Sequence, residues 1–117
     1  MKQIIIKEKS KDFALRIIKL YQYLTEKAER REYILSKQVV RSGTSIGANV
    51  KEGLRGQSRP DFRAKMSIAL KEASETEYWL ELLYESGYID EVSYDSIIND
   101  NREIIKILTR IVKNSET

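Results

Sequence analysis

The stretch that decides the fold runs from Gln38 to Gly53 and reads QVVRSGTSIGANVKEG. Its apolar residues Val39, Ile46 and Val50 recur at the spacing of one helix face. Small residues fill the positions between them, although each interior glycine costs a helix roughly 1 kcal/mol relative to alanine. A residue without a Cβ atom lets another backbone approach, so close packing is the natural compensation. The stretch therefore predicts a central, tightly packed helix.

Gly43 and Gly47 are four residues apart and share one face of this helix. Their spacing superficially resembles a phosphate-binding loop. No Gly-Lys-Ser/Thr follows them, however, and the setting is helical. Close contact with another helix is the favoured interpretation.

Upstream, one apolar stripe predicts helix one. It runs from Phe13 to Ala28 at spacings of three and four residues. Ser10 is suited to cap this helix, with Asp12 in its first turn. Residues 1–9 are then expected to form an N-terminal arm, either extended against a neighbour or a frayed end.

Downstream, start and stop signals delimit three more helices. The expected bounds are residues 31–34 to about Leu54 for helix two, Ser58 to Gly87 for helix three and Asp90 to Val112 for helix four, with a polar tail at 114–117. Long helices with short connections predict an all-α fold, an antiparallel up-down four-helix bundle. A length of 117 residues suits a single domain spanning 1–117.

The composition excludes several kinds of site. The chain has no cysteine, which excludes disulfides and thiolate metal sites and suits a reducing cytoplasm. It has no histidine, which removes the commonest general base and metal ligand. The longest apolar run is Ile4–Ile6, far short of the ~20 residues that span a bilayer. We expect a cytoplasmic protein with no membrane partner.

Charge is distributed unevenly along the chain, although the net charge is only +3. Residues 27–65 carry ten basic and four acidic residues, whereas residues 72–103 carry ten acidic residues and one arginine. Such segregation bears on partners and association rather than on the fold. It equally fits two solvated helix faces that happen to differ.

Several motifs resemble those of the four-helix-bundle family named for 23S rRNA intervening sequences. The matching positions are Leu35-x-x-Gln38, Arg41 to Gly53, Ser74-x-x-Glu77, Trp79-Leu80 and Gly87-Tyr88-Ile89. The SIGANVKEG string makes the match specific, and the resemblance covers roughly Asp12 to Val112.

The resemblance implies an up-down bundle that assembles into a homopentamer. Relatives of the accessory variability determinant protein of diversity-generating retroelements belong to this family. For those relatives it also implies binding to nucleic acid, RNA or DNA, and to a reverse transcriptase. No catalytic residue is established for the family, so none is carried over.

The best nucleic-acid candidates are five basic residues, most of them around the turn between helices two and three. They are Arg41, Lys51, Arg55, Arg59 and Arg63. Arginine offers a planar fork suited to phosphate, and a ring of subunits would repeat the patch. Ordinary surface charge is the competing interpretation. The function expected is that of a non-catalytic, homo-oligomeric nucleic-acid-binding protein; the alternative is an adaptor that scaffolds a protein partner.

Other polar residues point less clearly to a site. Asn49 and Glu52 are expected to be partly buried and to fix helix register, with Ser74 or Glu77 as a candidate partner. Glutamates on helix three could bind a hard cation, but bundle di-metal sites also use histidine. A solvated face, or contact with a basic stripe of another subunit, explains them better. We expect no catalytic residue, metal or cofactor, and a metal enzyme is the weakest hypothesis.

Overall fold

The computed structural model describes residues 2–115 and consists of four long helices. They are α1 (Lys2–Gln22), α2 (Leu35–Leu54), α3 (Arg59–Glu85) and α4 (Glu91–Asn114), with a π-helical turn at Tyr23–Lys27 after α1. No strand occurs among the described residues. The bundle is elongated, with Cα extents of 49 × 20 × 19 Å.

The helices form an antiparallel up-down bundle, as predicted. α2 packs on α1 and α3, α3 also packs on α4, and α4 returns to α1. Lys9 pairs with Glu103 and the later Arg16 pairs with the earlier Asp100, so α1 and α4 run in opposite directions. One apolar core extends through all four helices.

The small residues of α2 make the contact that the sequence predicts, and their partner is α1. A Cβ atom on Gly43 would lie 2.9 Å from both Cγ atoms of Ile17. A Cβ atom on Gly47 would lie 3.3 Å from the backbone oxygen of Ser10. Only glycine fits these positions without displacing a neighbour, so the two helices are held at close range.

The predicted N-terminal arm is wrong for residues 2–9, because α1 already begins at Lys2. Ile6 is fully buried and continues the apolar stripe by two turns. Ser10 is an interior residue and not a cap; it is buried against α2, and its hydroxyl donates to the Lys7 oxygen at 3.2 Å. Met1 lies outside the described residues.

The other helix signals agree with the structure. Ser58 accepts a hydrogen bond from the Asp61 amide at 3.2 Å, and Asp90 accepts one from the Ser93 amide at 2.8 Å. Gly87 ends the helix-three segment with φ 86°, a backbone conformation that favours glycine. In the predicted polar tail at 114–117, Asn114 is the last residue of α4, Ser115 caps it, and residues 116 and 117 lie outside the described residues.

Polar contacts inside the bundle differ from those expected. Asn49 donates to the Ser45 oxygen of its own helix, and Glu52 is exposed and pairs with Lys65. Neither therefore contacts Ser74 or Glu77 as predicted. Two other buried pairs join neighbouring helices instead: Thr76 with Ser42 at 2.8 Å, and Asn101 with the Ala73 oxygen at 3.0 Å.

The start of α2 depends on a carboxylate that sequence inspection did not single out. Glu32 is buried, and its oxygens accept hydrogen bonds from the amides of Ile34, Leu35 and Ser36 at 3.0, 2.9 and 2.6 Å. These amides belong to the first turn of a helix and have no partner within it. Glu32 thus caps α2 from outside the helix.

Gly43→Ala should destabilise the fold. Overpacking typically costs about 1–3 kcal/mol, and the helix propensity gained from alanine returns only about 1 kcal/mol. We expect a net loss of up to about 2 kcal/mol in the free energy of unfolding, measured in urea. In an Ile17→Ala background the added methyl group has room, so the same change should be neutral or stabilising there. An equal loss in both backgrounds would contradict the Ile17 contact.

Glu32→Ala should lower the free energy of unfolding by about 1–2 kcal/mol, the usual scale for loss of a helix cap. The reason is that the first amides of α2 lose their acceptors. Glu29→Ala removes the same side chain from an exposed position of the same turn and serves as the control. Equal unfolding midpoints for the two variants would show that Glu32 is not a cap.

Candidate nucleic-acid interface

The structure brings together two of the five predicted basic residues. Lys51 and Arg55 lie one turn apart at the end of α2, and both are exposed. They line a shared groove between α1 and α2 of about 480 Å³. The other three residues lie outside this groove.

The groove gains two further cations, Lys7 and Lys11, from the first half of α1. The remaining residues that line it are small or polar: Ser10, Ala14, Thr44, Gly47 and Ala48. Among the residues that the structure describes, no carboxylate lines the groove. We call Lys7, Lys11, Lys51 and Arg55 the basic groove.

Helix geometry explains why the four cations meet. Lys7 and Lys11 are four residues apart on α1 and share one face. Lys51 lies in the last turn of α2, and Arg55 is the residue that follows the helix. Ser10 and Gly47 touch between the pairs, which keeps the two helices close and the floor shallow. The cations therefore stand as two rows on either side of a narrow seam.

A second depression of about 440 Å³ continues from the groove toward the α2–α3 turn. It shares Lys51 and Arg55 but also contains Glu52 and Asp61. Glu52 forms an ion pair with Lys65 at 3.1 Å. This part of the surface is mixed in charge, so anion binding is better supported in the groove.

Sequence inspection grouped Arg41 with the phosphate-binding candidates, whereas the structure pairs it with carboxylates of α3. Its guanidinium pairs with Glu72 at 3.4 Å and with Glu75, both on α3. Glu75 also accepts a hydrogen bond from the Trp79 indole at 2.9 Å. Arg41 therefore joins α2 to α3 and lies apart from the basic groove.

Arg59 and Arg63 belong to the start of α3. Arg59 is exposed and lines a hollow of about 330 Å³ at the end of the bundle, beside Gln3 and Phe62. Arg63 is half-buried and is not among the residues that line the groove. The predicted set of five is thus spread over three places.

Part of the acidic segment is neutralised within the chain. Glu103 pairs with Lys9 at 2.7 Å, and its hydrogen bond raises the pKa of Lys9. Glu77 likewise pairs with Arg102 at 2.8 Å and raises the pKa of that guanidinium. These two carboxylates form ion pairs within one copy of the chain. They are therefore less available for the contact between copies that the charge pattern suggested.

The remaining carboxylates of α3 do not gather into a chelating site. Within the part of the chain that the structure describes, no group of three or more potential metal ligands comes together. Glu81 faces Tyr94, whose pKa is raised chiefly by burial and then by this carboxylate.

Sequence inspection missed Lys7 because it placed this residue on an arm and not on a helix, and it did not single out Lys11, which it placed at the start of helix one. A signal was present: Ile6, Ser10 and Phe13 extend the apolar stripe of α1 at spacings of four and three. On that helix the two lysines fall beside the buried face, where they can reach α2.

Comparison with known proteins assigns the chain to a family. Residues 2–110 match the family described as 23S rRNA-intervening sequence protein. The chain belongs to this family. The match includes both rows of the basic groove and all but the end of α4.

A solved structure supports the assignment. It is the crystal structure of a protein with unknown function from the S23 ribosomal protein family of Bacteroides thetaiotaomicron VPI-5482. The two chains are 54% identical over 97% of this chain and 99% of that chain, with a TM-score of 0.93. A search of the curated proteins returns no match.

A helix that crosses a membrane must be long and predominantly apolar. Within residues 2–115, no helix has both the length and the apolar character needed.

Proposed function

We propose that this protein binds nucleic acid, RNA in particular, without catalysing a reaction, and that it grips the phosphate backbone in the basic groove. The observation that carries the proposal is the groove itself, where four cations from α1 and the end of α2 surround a surface that no carboxylate of residues 2–115 lines. The family name, which refers to an intervening sequence of 23S rRNA, supports RNA as the ligand.

The chemistry of the groove suits phosphate rather than bases. Lys7, Lys11 and Lys51 supply point charges, and Arg55 supplies a planar fork that can hold two phosphate oxygens. The floor is made of small residues, and in the described part of the chain no aromatic side chain lines the groove and could stack on a base. Binding in the groove is therefore independent of sequence and sensitive to salt.

The groove predicts a salt dependence that can be measured. Four phosphate contacts on a duplex give a slope of about −3.6 for log K against log salt, and each lost contact reduces its magnitude by about 1. Lys11→Gln/Arg55→Gln should therefore weaken binding to a structured RNA and reduce the slope by about 2. Fluorescence anisotropy across a salt series provides the measurement.

The control is Lys37→Gln/Lys71→Gln, which removes the same charge from exposed positions outside the groove. It should retain the wild-type slope. Equal losses for both double variants would mean that only net charge matters. No binding by the wild type even at low salt would refute the proposed function.

Self-association is the second part of the proposal, and apolar side chains on α1 support it. Ile4, Leu15 and Ile18 are 59%, 51% and 38% exposed and share the outer face of that helix, which Lys11 borders, so copies would meet beside the groove. Contact between copies would bury them, and a pentamer is the assembly that the family resemblance implies. The same face also suits the alternative function, a cytoplasmic adaptor whose partner is another protein, such as a reverse transcriptase.

Leu15→Lys/Ile18→Lys should shift the protein toward monomer, because it places charge in the surface that copies share. Light scattering at a fixed concentration gives the mass, and Ile34→Lys, at an exposed position outside that face, is the control. A wild-type mass of 13.7 kDa would contradict self-association. A protein captured equally from lysate with and without nuclease would favour the adaptor.

A further inference from the structure

A second basic surface lies on α4, where sequence inspection found none. Lys106, Arg110 and Lys113 are all exposed and follow one another at helical spacings of four and three. The chain contains no acidic residue from Ile104 to Asn114. Among the described residues, no ion pair engages these three cations. We call them the α4 stripe.

Two ion pairs fix the direction in which the α4 stripe faces. Arg102 reaches toward α3 to pair with Glu77, and Glu103 reaches toward α1 to pair with Lys9. The stripe lies between these directions, opposite the buried residues Ile104 and Leu108. It therefore faces solvent, away from the rest of the bundle.

The basic groove lies on the other side of the molecule. On α1, Lys9 and Arg16 face α4, whereas Lys7 and Lys11 face α2. α2 and α4 occupy diagonal positions, because each packs mainly on α1 and α3. The bundle measures 20 × 19 Å across its two short axes, and its width lies between the two surfaces.

The two surfaces also lie at the same end of the long axis. Ile111 at the end of α4 lines a hollow with Gln3 and Arg59, the starting segments of α1 and α3. Gly53, at the end of α2, meets Lys65 and Met66 near the start of α3. The antiparallel order thus brings the cations of α4 level with those of the groove.

We propose that the α4 stripe binds the phosphate backbone of a second nucleic-acid segment, so that one protein bridges two segments. This inference rests on the proposed function, since it takes the groove to hold the first segment. Two like-charged surfaces on opposite faces cannot both reach one straight duplex, but each can hold its own. Where the two segments belong to one RNA, binding of the first raises the effective concentration of the second at the α4 stripe without any new contact.

A bridging assay tests the proposal with two short RNA duplexes, one carrying a donor dye and the other an acceptor. The wild-type protein should bring them together and produce energy transfer. In the Leu15→Lys/Ile18→Lys background, which keeps the grooves of associated copies from joining duplexes, Lys106→Gln/Arg110→Gln/Lys113→Gln should lose the transfer and bind one duplex per chain instead of two, with the affinity of the groove unchanged. Circular dichroism verifies that the variant is folded.

The matched control is Lys19→Gln/Lys37→Gln/Lys71→Gln, which removes three exposed positive charges outside both surfaces and should preserve transfer. Undiminished transfer in the α4 variant would overturn the inference, as would a wild type that binds one duplex but never joins two. Both results would leave the proposed function intact. Failure of the wild type to bind any duplex would instead refute the proposed function, and this inference with it.

Discussion

The structure depends on the close approach of α1 and α2, which is possible because α2 carries glycines at the points of contact. Gly43 accommodates Ile17, and Gly47 meets the backbone of Ser10. Burial of Ile6 in the apolar core stabilises the first two turns of α1 as helix. The absence of Cβ atoms at these two positions of α2 thus sets the distance between the helices. That distance in turn determines where the lysines of the basic groove lie.

Antiparallel packing changes the meaning of the charge pattern. Along the chain, basic and acidic residues form separate blocks, which suggests surfaces reserved for other molecules. In the bundle, Arg41 finds Glu72 on α3, and Arg16 finds Asp100 on α4 at 2.5 Å. The charges that remain available include the cations of the basic groove and of the α4 stripe, which lie at one end of the rod and come from segments far apart in sequence.

Much of the fold could be predicted from local patterns, because helix caps, turns and apolar stripes depend on residues that are close in sequence. The cap at Ser58 and the turn at Gly87 depend on neighbouring residues alone, and both are where the pattern placed them. Ser10 has the same side chain as Ser58, yet tertiary burial decides its role. The candidate site was harder to predict. Lys51 and Arg55 could be grouped by their spacing, but only the packed structure shows that lysines of α1 lie beside them.

The contact between Ser10 and Gly47 has a consequence for how this protein can evolve. The seam that holds two helices together is at the same time the floor of the groove. A substitution that deepened or reshaped that floor would also separate α1 from α2. Ligand recognition and folding are therefore constrained at the same positions. Ligand preference can drift only along the rims, where long flexible side chains are exchanged without touching the seam.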